Sequence, residues 1–190
     1  MLRNQNDRRA DGAESISASL TADPLTFLAE DHMRQREICA MLNMVASQPF
    51  PEFRSMGVSL AYLRHEFLLH NADERAVLFP MMIARCEKED EIGLIIDRLL
   101  RDHEAGEVQA QKVCDILETI MEIGDAPNEA DRAELKDFAG RCQRYLILEN
   151  AIILRLARVR LSEDDLAVLS RKMLLRRGLI EPDQAKPKEK

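Results

Sequence analysis

A chain of 190 residues that is 46% hydrophobic is the size of one ordinary domain and can build a substantial core. Seven Gly, seven Pro, no Trp and 4% aromatics, in a sequence dominated by Leu, Ala, Glu, Arg, Met and Ile, are the palette of an all-helical protein. A net charge of −7 leaves no nucleic-acid footprint unless basic residues segregate, and only a local group does so, Arg171, Lys172, Arg176 and Arg177, read as a solvated helix end.

Residues 1–22 are polar, lack the apolar stretch of an export signal, and read as a disordered N-terminal segment. Asp23 followed by Pro24 is an N-cap with Pro at the first helical position, opening a helix to about Ala46. After the Pro49-Phe50-Pro51 break a second long helix runs from about Glu52 to Cys86, kinked by Pro80 near its end. A third continues from the charged turn at Glu87 to Glu91 as far as Ile123, and Gly124 to Pro127 stops it. The fourth runs from about Asn128 to Arg160. Ser162 with Asp165 resembles a capping box and starts a shorter helix within 161–178, ended by Gly178. Residues 179–190, with two Pro and many charges, read as a disordered tail. Four long helices with short connections predict an antiparallel up-down-up-down four-helix bundle over residues 23–160, with the additional short C-terminal helix beside it.

The four cysteines, Cys39, Cys86, Cys114 and Cys142, contain no C-x-x-C pair and read as small buried residues in a reducing compartment. No 18 apolar residues run together, so the expected setting is cytoplasmic, without a membrane partner.

Laying a 3,4 spacing on each helix exposes the informative pattern. The seams read Leu28, His32, Gln35, Cys39; Phe67, His70, Glu74, Val77, Met81; Leu99, His103, Gly106, Ala110; and Cys142, Tyr145, Glu149, Ile152, Leu156. Each is apolar at its ends and polar near its middle, and the polar levels agree to within about 6 Å at a rise of about 1.5 Å per residue. Burying imidazoles and carboxylates in one layer costs several kcal/mol per uncompensated charge, which a cation removes. His70 and Glu74 stand at i and i+4, as do Tyr145 and Glu149, so each pair shares a helix face. His32 and His70 suit one ion and His103 with Tyr145 the other, the carboxylates bridging; N and O donors without thiolate favour iron or manganese, with zinc as a further option. Glu107, one turn after His103, borders the seam as an additional oxygen donor, and Glu66 is a weaker candidate of that kind. His65 lies about 140° round the helix from His70 and reads as outward-facing.

These residues resemble the hemerythrin-like family, the HHE cation-binding domains, whose pattern is H, H-x-x-x-E, H, H-x-x-x-E on successive helices. His32, His70 with Glu74, His103, and Glu149 match it in order, and Ala76 to Pro80 and Asp102-His103-Glu104 look like its flanks. The resemblance covers about Pro24 to Arg160 and implies a bundle with two non-haem iron ions. Tyr145 departs from it, standing where the last histidine belongs. A coordinating phenolate would favour ferric iron and make reversible oxygen carriage poor; a neutral phenol would leave one ion with an open position.

The function expected is binding or sensing of a small oxidant such as oxygen, nitric oxide or peroxide. The alternatives are a di-iron redox enzyme acting on peroxide or nitric oxide, and a metal-free interaction module. In that last case the C-terminal helix, with Leu166, Leu169, Met173 and Leu174 on one side, would dock a protein partner or a second copy.

Overall fold

A computed structural model describes residues 5–181, and among them every regular element is helical. The first helix, α1 (Gln5–Ala22), occupies the segment expected to be disordered, of which residues 1–4 lie outside the described part. Among its described side chains Leu20 is fully buried, and α1 packs on α2 (Pro24–Ser47) and on the C-terminal helix. A single well-placed leucine leaves no continuous apolar run, so composition alone does not reveal the docking.

Helix α2 (Pro24–Ser47) starts as expected, the Asp23 carboxylate accepting from the Leu25 and Thr26 amides at 3.0 and 3.2 Å. The rod expected over residues 52–86 is divided. It comprises α3 (Phe53–Arg64), a break at His65, α4 (Glu66–Asp73), a π-helical turn (Glu74–Leu78) and α5 (Phe79–Arg85), with Pro80 in the first turn of α5. Helix α6 (Ile92–Ile123) comes after a short 3-10 turn and Glu91, and stops at Gly124, whose φ of 77° is the left-handed conformation that glycine adopts without cost. A capping box between Asn128 and Asp131 opens α7 (Glu129–Leu148), which passes through a second π turn (Glu149–Ile153) into α8 (Leu154–Arg160). Ser162 and Asp165 form the anticipated capping box of α9 (Glu163–Arg176).

Helix α2 packs on α7, α7 on α6, α6 on α3, and α3 on α2, so these elements surround a common core that includes Leu28, Leu42, Phe67, Leu99, Val113 and Phe138. Each fully buried Leu or Phe contributes about 2 kcal/mol, which together outweighs the cost of the few polar side chains at mid-core. Among the described residues no helix is long and apolar enough to cross a membrane.

Each π turn accommodates one extra residue and rotates the downstream helix relative to the upstream one. After Glu74, Val77 is buried as expected, Leu78 and Phe79 are buried as well, and the next buried position is Met82, the expected Met81 being only partly buried; after Glu149 the buried positions include Ile153 and Ala157, while the expected Ile152 and Leu156 are only partly buried. A shift of one position is thus present from Met82 in the first rod and from Ile153 in the second.

At the C-terminus, Leu169 and Met173 are fully buried and Leu174 nearly so, while Leu166 is partly buried, so most of the apolar side of α9 packs on the rest of the chain. The Leu179 amide bonds back to the Leu174 carbonyl at 2.9 Å, and Leu179 and Ile180 pack partly buried on the core. Residues 179 and 180 are thus packed where a tail was expected; residues 182–190 of that expected tail lie outside the described part.

Candidate metal centre

Five fully buried side chains from separate stretches of helix converge at mid-core: His32 from α2, His70 from α4, Glu74 from the start of the first π turn, His103 from α6, and Glu149 from the start of the second. The two π turns are alike in that each begins at the acid, whose carbonyl accepts the amide of the residue five positions on, Phe79 in one case and Leu154 in the other. Single π turns inside α-helices concentrate at functional sites because they re-aim one side chain without ending the helix.

All three imidazoles present Nε2 to the middle. His32 Nε2 lies 3.1 Å from His70 Nε2, 3.5 Å from Glu74 Oε1 and 3.5 Å from Glu149 Oε2. His70 Nε2 is 3.6 Å from Glu74 Oε2, and His103 Nε2 is 3.6 Å from the same oxygen and 2.7 Å from Glu149 Oε1. One atom from each of His32, His70, Glu74 and Glu149 lies within 4.8 Å of the others. Such spacings match the separation of adjacent ligand atoms around an ion whose bonds are about 2.1 Å, roughly 3 Å.

The same atoms show why a cation fits. Both carboxylate oxygens of Glu74 and Oε2 of Glu149 are buried without a hydrogen-bond partner, two acids sharing a dry layer with imidazole lone pairs. Unpartnered buried carboxylate oxygens are costly, and a divalent ion answers all of them together. Burial drives the Glu74 carboxyl upward, but the facing His70, with His32 and His103, wins and holds it near about 2. Burial also pushes His70 down to about 4, leaving it neutral at pH 7 with its lone pair free. For His32 and His103 burial again acts downward, yet the nearby carboxylates prevail, Glu74 with Glu149 for His32 and the bonded Glu149 for His103, and both stand above the ordinary imidazole value. The set is nitrogen and oxygen without thiolate, which suits iron, manganese or zinc.

Tyr145 is fully buried with its ring 5.1 Å from that of His103, but its hydroxyl is engaged away from the carboxylates. It accepts from the Gln35 amide and donates to Cys142 Sγ at 3.3 Å, one turn back along α7. Burial, with Cys142 and Glu149 nearby, raises the phenol well above its ordinary value, so it stands as a neutral hydroxyl.

Glu107 is not brought into the cluster. It accepts from Arg75 at 3.1 Å and from Asn71 at 3.3 Å and is a quarter exposed, because the turn after His103 carries it toward the edge of α6 where a cation is available in solvent. Glu66 is half-buried and also outside the cluster, and His65 is exposed at the break between α3 and α4. Sequence reasoning did not find Asp31 or Asp73. Both are buried, Asp31 Oδ2 lying 3.5 Å behind His70 Nδ1 and Asp73 accepting from Arg176 and Arg177. The only signal for Asp31 is its place beside His32, and the arginines that reach Asp73 come from more than 100 residues away in sequence.

Imidazoles and carboxylates gathered in a dry layer, with every regular element of the described residues helical, define a helical protein whose interior could hold a cation. The sequence model of the Hemerythrin HHE cation binding domain matches residues 23–157, which is most of the chain, and the protein belongs to that family. The match contains all five converging residues and ends before α9. No curated protein and no solved structure is found to match the chain.

Proposed function

We propose that this chain is a hemerythrin-like protein that holds two non-haem iron ions and uses them to bind or sense a small oxidant, oxygen, nitric oxide or peroxide, in the cytoplasm. The observation that carries this reading is the way the two carboxylates divide the histidines. Glu74 directs Oε1 toward His32 and Oε2 toward His70 and His103; Glu149 directs Oε2 toward His32 and Oε1 toward His103. Each acid thus places one oxygen by His32 and the other by His103, with His70 sharing the second oxygen of Glu74, so either carboxylate could bridge two ions. The ring of contacts α2, α7, α6, α3 supports an up-down-up-down four-helix bundle as the frame.

Iron held here would supply reversible one-electron chemistry. Glu74 and Glu149 would offset its charge, and His32, His70 and His103 would hold it through Nε2. Tyr145, kept as a neutral phenol chiefly by burial and engaged with Gln35 and Cys142, would add no anionic donor. Because every donor is fully buried, a ligand reaching them is limited to a few atoms. The four cysteines are unpaired, in keeping with a reducing compartment. Exposure of the reduced, iron-loaded protein to oxygen, nitric oxide and peroxide in turn, with visible spectroscopy after each, tests the reading. A new absorption with at least one of the three supports it, and an unchanged spectrum with all three contradicts it.

A further inference from the structure

We propose that Asp31 and Arg177 are positioning residues for His70, so that α9, which lies outside the span matched by the family, sets how firmly the centre holds its metal. The inference rests on the metal reading of the cluster. It starts from the two ends of one imidazole: His70 Nε2 faces the cluster, and Nδ1 faces Asp31 Oδ2 at 3.5 Å. Asp31 is itself buried, and its other oxygen accepts from Arg34. Arg177 Nη2 stands 4.0 Å from Asp31 Oδ2. His70 Nδ1, Asp31 Oδ2 and Arg177 Nη2 are buried and have no hydrogen-bond partner, and each stands at ion-pair distance from the next of the three.

Arg177 is suited to hold that line. Its side chain is only 6% exposed, its guanidinium lies 5.1 Å over the Phe27 ring, and Nη1 donates to Asp73 Oδ2 at 2.6 Å. Arg176 takes the other oxygen of Asp73. Asp73 is the last residue of α4, immediately before the π turn that begins at Glu74. The end of α9 thus clamps the helix where the bridging acid is set and backs the carboxylate behind a histidine ligand. An aspartate accepting from Nδ1–H fixes the imidazole tautomer that leaves Nε2 free for metal and strengthens it as a donor. The burial of Leu169 and Met173 keeps α9 seated, so the arginines are held in place by the fold.

The test compares wild-type protein with Arg177→Met, Arg177→Lys and Asp31→Asn, each checked for helix content. Nitrogen-15 NMR of the metal-free proteins at neutral pH reads the His70 tautomer, and chelator competition reads iron affinity. Wild type shows His70 protonated on Nδ1; Arg177→Met and Asp31→Asn give a tautomer mixture and bind iron about tenfold or more weakly, and Arg177→Lys restores much of both. Wild-type His70 signals and affinity in both Arg177→Met and Asp31→Asn overturn the proposal. Should Arg177→Met not fold, Asp31→Asn, which leaves the Asp73 anchor intact, decides it alone. Should wild-type protein bind no iron, the metal reading fails, and the NMR comparison still tells whether Asp31 and Arg177 fix His70.

Discussion

His103 Nε2 and Glu149 Oε1 lie 2.7 Å apart with both side chains closed to solvent, one reaching in from α6 and the other from the first residue of a π turn. Without metal this pair is a buried acid held by an imidazole, and Oε2 of the same carboxylate has no hydrogen bond. Glu149→Gln should therefore separate metal binding from folding. Iron affinity falls by more than the roughly 10- to 100-fold typical of outer-shell changes. The metal-free protein still folds, with a lowered melting temperature, because the buried His103 imidazole loses the carboxylate that holds its proton. Metal competition and calorimetry on the same samples check both halves.

Acid should loosen the metal through His32 and His103. Their raised proton affinity means that both are charged in the metal-free protein as pH falls, and each must lose its proton to ligate. Iron affinity consequently rises with pH, and protons released per ion fall toward zero in alkali; titration calorimetry in buffers of different ionisation enthalpy measures them.

Stability of the metal-free protein should trace a different curve. His70, depressed to about 4 from 6.5, favours its neutral form in the fold, so stability rises with pH between those values. His32 and His103, raised above 6.5, contribute stability fully below that value that is lost as pH rises through their folded-state pKa. A maximum near pH 6.5 is the expected outcome in denaturant melts of metal-free protein.

Helix α9 should be held by Asp165. Its carboxylate pairs with Arg85 through two bonds of 2.9 Å and completes the Ser162 capping box, and the Arg85 bonds, with help from Ser162, hold its pKa down at about 2 against some desolvation. The pairing is present above the ordinary value of 3.8 and is lost as pH falls toward about 2. Asp165→Ala should cost about 1 kcal/mol, chiefly through the cap, and raise hydrogen exchange in α9 first.

Tyr145→Phe should leave iron content unchanged while lowering stability by about 1–2 kcal/mol, because the buried Gln35 amide loses its acceptor. Metal analysis and thermal melts check this, and loss of an ion in the variant would make Tyr145 a ligand.

Helix limits were legible wherever a cap or breaker stood in the sequence: Asp23-Pro24, Gly124, Asn128 and Ser162 all mark observed boundaries. His32, His70, Glu74, His103 and Glu149 were legible because five costly side chains sat on apolar stripes at one level. The π turns were not, since a constant 3,4 spacing has no place for an inserted residue; the seams go astray by one position at Met82 after the first turn and at Ile153 and Ala157 after the second. Glu107 fell on the correct helix but beside Arg75, and a partner on another helix has no signature in local spacing. The docking of α1 through Leu20 and the grip of Arg176 and Arg177 on Asp73 escaped for the same reason, both being tertiary contacts over long separations.

The most direct test of the central claim is anaerobic titration of the metal-free protein with ferrous iron, with total iron per folded chain measured at the end. Two tightly held equivalents are predicted, dropping in Glu74→Ala and Glu149→Gln. A chain that keeps its helical content but retains no iron would contradict the account.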